Sequence, residues 1–320
     1  MNIALLTMLG MTAIAVVRLH RLFGVVILFS IYSLLSASIF VALDAVDVAF
    51  TEAAVGAGIS TVLMLATLVK TGRIEKRSGR HPLLPLVVVL ITGAALIWGT
   101  QDLPGFGDPL NPVHQHVADR YIEQSPIEIG IPNMVTSVLA SYRGYDTMGE
   151  VVVVFTALVG VLSLLGFSGS RGEKSTARGP NQPTPVLQVM AIPLVPFILL
   201  FALYVQFHGD FGPGGGFQAG VIFAVGIILY TLTFGLDEAL ALIPVSVVRI
   251  IAALGVLVYA GTGVVSMLSG GAFLDYSVLA KSATDGQHYG ILIIELGVGL
   301  TVAAVMILIF FSFYDKAFRK

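Results

Sequence analysis

Stretches of mainly apolar residues recur along the chain, most of them close to the roughly 20 residues that a helix needs to cross a bilayer. Nine qualify: 2–17, 22–43, 50–69, 83–98, 148–167, 187–207, 215–236, 245–268 and 289–313. Lipid leaves no partner for free backbone groups, so such segments satisfy themselves as helices. Hydrophobic residues make up 56% of the sequence and charged ones 11%, against roughly 25% charged in soluble domains. The expected fold class is therefore all-α, a polytopic transmembrane helical protein of about nine spans. The first stretch has no basic segment before it and no small-residue cleavage pattern after it. It reads as a retained span rather than a signal peptide.

Basic residues sort onto alternate connections. Arg18 and Arg21 follow the first span, Lys70, Arg73, Lys76, Arg77 and Arg80 the third, and Arg171, Lys174 and Arg178 the fifth. Arg249 opens the eighth span, and Lys316, Arg319 and Lys320 close the sequence. The intervening connections hold only Arg120, Arg143 and Lys281. Positive residues mark the cytoplasmic side, so the N-terminus is expected outside and the C-terminus in the cytoplasm of a cell (plasma) membrane. The alternation holds through all nine spans.

Polar segments divide the chain. Residues 168–185, SGSRGEKSTARGPNQPTP, read as a cytoplasmic linker. Residues 100–132 read as a long outside loop, and Pro132–Ser141 as a short helix near the outer surface. The expected organisation is a three-to-four-span unit over 1–99, then loop, short helix and one span over 100–167. The linker and a four-span unit over 186–320 complete it.

With no cysteine, this chain carries no disulfide, iron–sulfur cluster or thiolate metal site. His114 and His116 stand two apart in the outside loop, but no third ligand is spaced to complete a metal site. The net charge of −2 selects no partner, and nothing points to nucleic acid.

Ionisable groups inside the apolar stretches are the first functional candidates, because each costs about 2.5–3.5 kcal/mol at mid-membrane on insertion scales. Glu52 lies near the start of the third span, Glu150 near the start of the fifth and Glu295 nearer the middle of the ninth. None has a basic residue within one turn on its own helix. Each either pairs at an interface or belongs to a proton or cation path. Asp47 precedes Glu52, and Asp146 precedes Glu150 by one turn, where the two could form an inlet of paired carboxylates. Small residues around Glu52 (Ala53, Ala54, Gly56, Ala57, Gly58) permit close helix approach.

The stretch YVQFHGDFGPGGGFQAGVIFA interrupts two apolar runs with His208, Asp210, Pro213, Gly214, Gly215 and Gly216, followed by Phe217. Pro213 suits the first turn of a helix, and Asp210 suits a cap before it. A plain turn would not need three successive glycines, each of which weakens a helix by about 1 kcal/mol. Close packing against a helix or another subunit would. No Lys-Ser/Thr pair follows and no strand precedes, so this is not a nucleotide loop.

These motifs carry a family resemblance. HGDFGPGGGFQAGVIFA resembles the signature of the B subunit of Mrp-type multisubunit Na⁺/H⁺ antiporters, and the resemblance covers about residues 186–313. ELGVG at Glu295 looks like that family's acidic motif in its last span, where aspartate is more usual. DVAFTEAAVGAGISTVLML resembles the tail of the Mrp A subunit, as well as the matching small subunit of membrane-bound hydrogenases. NPVHQHVADRYIEQS, with RGYDTMGE ending at Glu150, resembles the next piece of the same region. The antiporter form of the first piece often has glutamine at Glu52 and glutamate at Gly56. In the second piece, Ser141 stands where an acid is usual.

The resemblance implies a membrane subunit of a monovalent cation (Na⁺)/proton antiporter, a transporter subunit with no cofactor and no covalent chemistry. Glu52, Glu150, Glu295, Asp146 and Asp47 would serve the ion or proton pathway, with Glu52 and Glu150 first in rank. The glycine turn would serve assembly. Na⁺, H⁺, large pump-like subunits, small membrane subunits and the bilayer would be the partners. The alternatives are a membrane-arm subunit of an energy-converting hydrogenase or related respiratory complex, and a structural spacer without ion ligands.

Overall fold

The computed structural model describes residues 1–76, 83–166 and 185–318. Among them the chain is helical throughout, with one isolated antiparallel bridge between Arg21 and Ile74. Nine long apolar helices follow in order: α1 (Asn2–Arg18), α2 (Leu22–Ala42), α3 (Val46–Leu68), α4 (Leu83–Gly99), α5 (Gly144–Leu165), α6 (Pro185–His208), α7 (Gly216–Phe234), α8 (Val245–Leu268) and α9 (Ala283–Phe318). Eight are long and apolar enough to cross a membrane, α4 together with the 3-10 turn Thr100–Asp102 that continues it, and α1, at 17 residues, is slightly shorter. This is the all-α architecture of about nine spans that the apolar pattern predicts.

Helix boundaries differ from the apolar runs in one consistent way. α3 begins at Val46 rather than Phe50, α5 at Gly144 rather than Met148, and α9 at Ala283 rather than Tyr289. Each first turn is polar (Val46-Asp47, Gly144-Tyr-Asp-Thr147, Ala283-Thr-Asp-Gly-Gln-His288), so hydropathy places the start too late. The backbone extends a helix wherever its hydrogen bonds close, regardless of polarity. Glu52 and Glu150 therefore stand six residues inside their helices. The linker, with Arg171, Lys174 and Arg178, lies outside the described residues except for Pro185, which opens α6. Arg77, Arg80, Arg319 and Lys320 also lie outside them.

Two further expectations are corrected. The short helix expected over Pro132–Ser141 is a single α turn, Met134–Thr136, running into a π-helical segment, Ser137–Tyr142. Asn133 caps it, its side chain accepting the Val135 N–H at 3.0 Å. Pro213 does not sit in the first turn of α7. The helix begins at Gly216 with Gly215 as its N-cap, and Gly215 has φ +111°, the left-handed region that favours glycine.

The densest packing surrounds α9, which lies against α5, α7 and α8. Glycines let these backbones meet. A β-carbon at Gly216 would collide with the Glu295 carbonyl oxygen, and one at Gly220 would stand 2.8 Å from the Gly299 carbonyl. One at Gly255 would overlap Thr301 and the Gly297 carbonyl. In lipid, where apolar surface is not squeezed out by water, such close contact is what holds helices together. The Tyr259 hydroxyl donates to the Gly144 carbonyl at 2.7 Å, tying α8 to the start of α5. α6 runs beside α7 despite Pro193 and Pro196, which membrane helices tolerate when neighbours re-satisfy freed carbonyls.

The first three helices form a looser group. α3 packs on α2 and also touches α7 and α9, so it is the bridge to the rest. At the α1–α2 connection, the Leu22 N–H donates to the Arg73 carbonyl at 3.1 Å and the Glu75 N–H to the His20 carbonyl at 3.0 Å. α4 contributes no buried residue.

Candidate functional site

Where α3, α5, α7 and α9 converge, a cavity of about 450 Å³ opens among Asp47, Glu150, Glu295 and the Gly214–Gly216 turn. Four elements build it. α3 supplies Asp47 and Thr51, α5 supplies Thr147 and Glu150, α9 supplies Glu295, and the turn leads into Phe217 and Gln218. The segment 135–140 closes one side.

The glycine turn is shaped around these acids. A β-carbon at Gly215 would stand 2.9 Å from Glu295 Oε1, and one at Gly209 would stand 3.0 Å from Glu295 Oε2. The Glu295 carboxyl thus occupies the space that side chains would fill. The Gly214 N–H donates to Asp47 Oδ1 at 3.1 Å, so Asp47 of α3, not Asp210, receives a backbone N–H ahead of α7. Gln218 Nε2 donates to Thr51 Oγ1 at 3.0 Å, locking α7 onto α3. Asn133 Nδ2 donates to the Gly209 and Gly212 carbonyls at 2.9 and 3.0 Å, and Thr136 Oγ1 to the Gly209 carbonyl at 2.7 Å. The turn is held from three sides with its carbonyls satisfied.

Asp210 turns away from α7 and meets His288, with Nδ1–Oδ2 at 3.0 Å. Its side chain is buried while the His288 ring is about half exposed. Burial raises the Asp210 carboxyl above the usual carboxylate range, and the His288 ring opposes that rise. His208 ends α6, where its carbonyl accepts the Phe211 and Gly212 N–H groups. Its ring stacks on Tyr204, with centroids 4.9 Å apart.

Two candidates stand elsewhere. The Glu52 carboxyl lies over Gly56 and beside Ser33 of α2. A β-carbon at Gly56 would be 2.7 Å from Glu52 Oε1 and 2.6 Å from Ser33 Oγ. The small-residue seam therefore seats Glu52 against α2, and Glu52 does not line the cavity. Asp146 pairs with Arg143 at 2.6 Å and stays about half exposed. The inlet of paired carboxylates expected from Asp146 and Glu150 is thus one free carboxylate short, because a neighbouring guanidinium already neutralises Asp146.

Between α4 and α5, Arg120, Glu128 and Tyr142 form a surface cluster. Burial and then the Glu128 carboxylate push the Tyr142 hydroxyl up to about 12. His114 and His116 are exposed. Among the described residues no three His, Cys, Asp or Glu side chains gather as a metal site.

Sequence reasoning missed Asn133, Thr51, Gln218 and His288. Gln218 directly follows the glycine motif, and Asn133 follows a proline before an apolar run, so each carried a local signal. The π-helical segment Ala53–Ile59, which directly follows Glu52 on α3, carried none beyond its small residues.

Comparison with known proteins now decides the family. Residues 186–308 match the family described as a domain related to the MnhB subunit of Na⁺/H⁺ antiporter. The antiporter protein mnhB2 of Staphylococcus aureus is 37% identical over 123 residues, which cover 86% of that protein and 37% of this chain. The chain belongs to the MnhB family. Outside the MnhB region, residues 7–73 match the MbhD family and residues 108–182 the MbhE family, described as the D and E subunits of MBH.

A K⁺/H⁺ antiporter A/B protein of Rhizobium meliloti is 26% identical over 337 residues, covering 94% of this chain and 33% of its own length. Among solved structures, the Mrp complex from Dietzia sp. DQ12-45-1b contains a chain that matches with a TM-score of 0.76 and 25% identity, over 97% of this chain and 34% of that one. The membrane-bound sulfane sulfur reductase, an archaeal respiratory membrane complex, matches with a TM-score of 0.56 and 31% identity, over 71% of this chain and 95% of its own. The chain spans about a third of the length of the Rhizobium protein and of the Mrp chain.

Proposed function

We propose that this chain is a membrane subunit of a multisubunit monovalent cation (Na⁺)/proton antiporter, and that Asp47, Glu150 and Glu295 form part of its ion path. The observation that carries this reading is the cavity in which carboxylates from three helices face a glycine turn. A carboxyl held in a largely apolar space within the membrane can exchange a proton for a cation, and intramembrane acids mark such paths. Thr51 and Thr147 add neutral oxygens along the lining. The printed names of the Staphylococcus and Rhizobium relatives support the same reading.

The proposed organisation is an N-terminal unit over 1–99, a loop-and-span unit over 100–167, a cytoplasmic linker over 168–185 and an MnhB-like unit over 186–320. The glycine turn lies at the outer face of the plasma membrane, the N-terminus outside and the C-terminus in the cytoplasm, as the distribution of Arg and Lys supports. Partners are the pump-like and small membrane subunits of the same complex.

The test is ΔpH-driven exchange in everted vesicles containing the whole complex, across a pH and Na⁺ series. Glu150→Gln and Asp47→Asn are expected to abolish or strongly lower exchange with the complex still assembled. Exchange at the unsubstituted level in both, at equal amounts of complex, would leave the spacer reading standing.

A second reading keeps the same cavity but places it in the membrane arm of an energy-converting hydrogenase or related respiratory complex. The two MBH matches and the sulfane sulfur reductase likeness favour it. The subunits that copurify with the chain separate the two readings.

A further inference from the structure

The Asp210–His288 pair is built into the wall of the glycine turn, yet the carboxylate cavity does not use it. The Asp210 backbone carbonyl accepts the Asn133 N–H at 3.0 Å, and its carboxyl meets His288 Nδ1 at 3.0 Å. The His288 ring is about half exposed at the outer end of α9, and the Asp210 side chain is buried. His288 and Glu295 are seven residues apart on one helix, two turns along the same face. Gly209, the neighbour of Asp210, faces Glu295 Oε2 directly. Asp210 and Asp47 are the acids close enough to bear on the charge of Glu295. An exposed imidazole, a buried carboxyl and the cavity carboxyl therefore descend in order from the outer surface.

We propose that His288 and Asp210 form the outer proton port of this chain, passing protons between outside water and Glu295. The proposal rests on the cation/proton reading above and adds the route by which one of the two ions arrives. Histidine is suited to this step because its unperturbed pKa lies near neutrality and its two nitrogens can take and give a proton in one pass. In the inward pass, Nε2 accepts a proton from outer water as Nδ1 gives its proton to Asp210 Oδ2. The ring is neutral before and after, and Asp210 is left protonated. Asp210 then loses that proton towards the ionised Glu295, which becomes neutral, and regains its own charge. The outward pass reverses each transfer. Burial raises the Asp210 carboxyl, and the His288 ring opposes that rise.

The other polar groups around Asp210 come from every neighbouring element. Asp47 of α3 holds the Gly214 N–H, Asn133 and Thr136 hold the carbonyls of the turn, and His208 lies against Gly212. Among the described residues, His288 is the exposed titratable group whose ring nitrogen meets the Asp210 carboxyl. Asp47 Oδ1 accepts the Gly214 N–H, and His208 stacks on Tyr204.

The experiment uses the whole complex in sealed vesicles whose outer-face compartment can be buffered independently. His288→Ala and Asp210→Asn are compared with Glu295→Gln, with complex yield as the folding control. His288→Ala is expected to slow exchange about tenfold or more, less than the full 10²–10⁴ of a positioned acid–base group because water still reaches Asp210 slowly. Imidazole added on the outer side is expected to restore exchange in His288→Ala but not in Asp210→Asn. The apparent affinity for Na⁺ is expected to stay unchanged in His288→Ala. Unaltered exchange in His288→Ala across outer pH 6–8 would overturn the port. So would a loss, at normal complex yield, that imidazole does not repair. If Glu295→Gln also exchanges normally, the cation/proton reading itself fails. If Glu295→Gln is inactive while His288→Ala is normal, only the port fails.

Discussion

The bundle around α9 and the helix α4 are both apolar enough to cross a membrane, yet they are opposites in packing. Within the most apolar window of α9, 61% of residues are buried, and within that of α4 none are. Hydropathy alone cannot tell them apart. The difference lies in small residues at helical spacing. α9 carries Gly290, Gly297 and Gly299, which meet Tyr276, the Gly255 carbonyl and Gln206. Gly93 and Gly99 of α4 have nothing within 4 Å of where a β-carbon would stand. A glycine in a membrane helix thus marks an interface only when another backbone or side chain already fills its space. α3 lies between these extremes, tied at its start to α7 and the glycine turn by Asp47, Thr51 and Gln218 and packed on α9.

The contrast is broken most severely by bulk. Gly216→Leu forces a side chain into the Glu295 carbonyl and is expected to prevent α7–α9 docking, with little complex recovered from the membrane. Overpacking of this kind costs about 1–3 kcal/mol or more. Gly93→Leu, the matched change on α4, is expected to leave complex yield unaltered. An equal loss from both would show that α4 is gripped as tightly as α9.

Tyr259→Phe removes the hydroxyl that ties α8 to the Gly144 carbonyl, which keeps its bond within α5. The expected cost is about 0.5–1.5 kcal/mol, read as a lower midpoint in thermal aggregation of the detergent-solubilised complex. Glu75→Ala breaks an exposed pair with His20 on the loose side of the molecule, and there the same assay should move by no more than about 1 kcal/mol.

The smallest expected effect is at the surface cluster between α4 and α5. The Tyr142 hydroxyl and Arg120 hold the Glu128 carboxyl below the usual carboxylate range. A depressed carboxyl contributes stability above its unfolded value, about 4.3, and that contribution fades as pH falls through the folded value. Limited proteolysis of the segment between α4 and α5 should therefore quicken only in acid below about pH 4. Glu128→Gln should show the quicker cleavage already at neutral pH.

The membrane-spanning helices were legible because a span advertises itself by length and apolarity. Their polar first turns were not. That is why Asp47 and Asp146 read as flanking residues when they stand inside helices. The glycine motif was visible and its role in close packing was foreseen, but its partner was not. Only the fold reveals that Glu295, from 80 residues further on, fills the space opposite Gly215. Glu52 illustrates the reverse case. Its small-residue surroundings marked a helix contact correctly, yet that contact is with Ser33 on α2, away from the cavity. One-dimensional proximity to a seam does not say which neighbour the seam serves. The π-helical segments after Glu52 and before Arg143 rotate the residues beyond them, a change no apolar period encodes.

The central claim is that the ion path runs through the cavity carboxylates and not through the seam that seats Glu52. The most direct measurement compares ΔpH-driven cation/proton exchange in everted vesicles carrying Glu295→Gln with that carrying Glu52→Gln, at matched amounts of assembled complex. Exchange lost in Glu295→Gln and largely kept in Glu52→Gln is the predicted result. Exchange kept in Glu295→Gln and lost in Glu52→Gln would contradict the account and move the path to the α2–α3 seam.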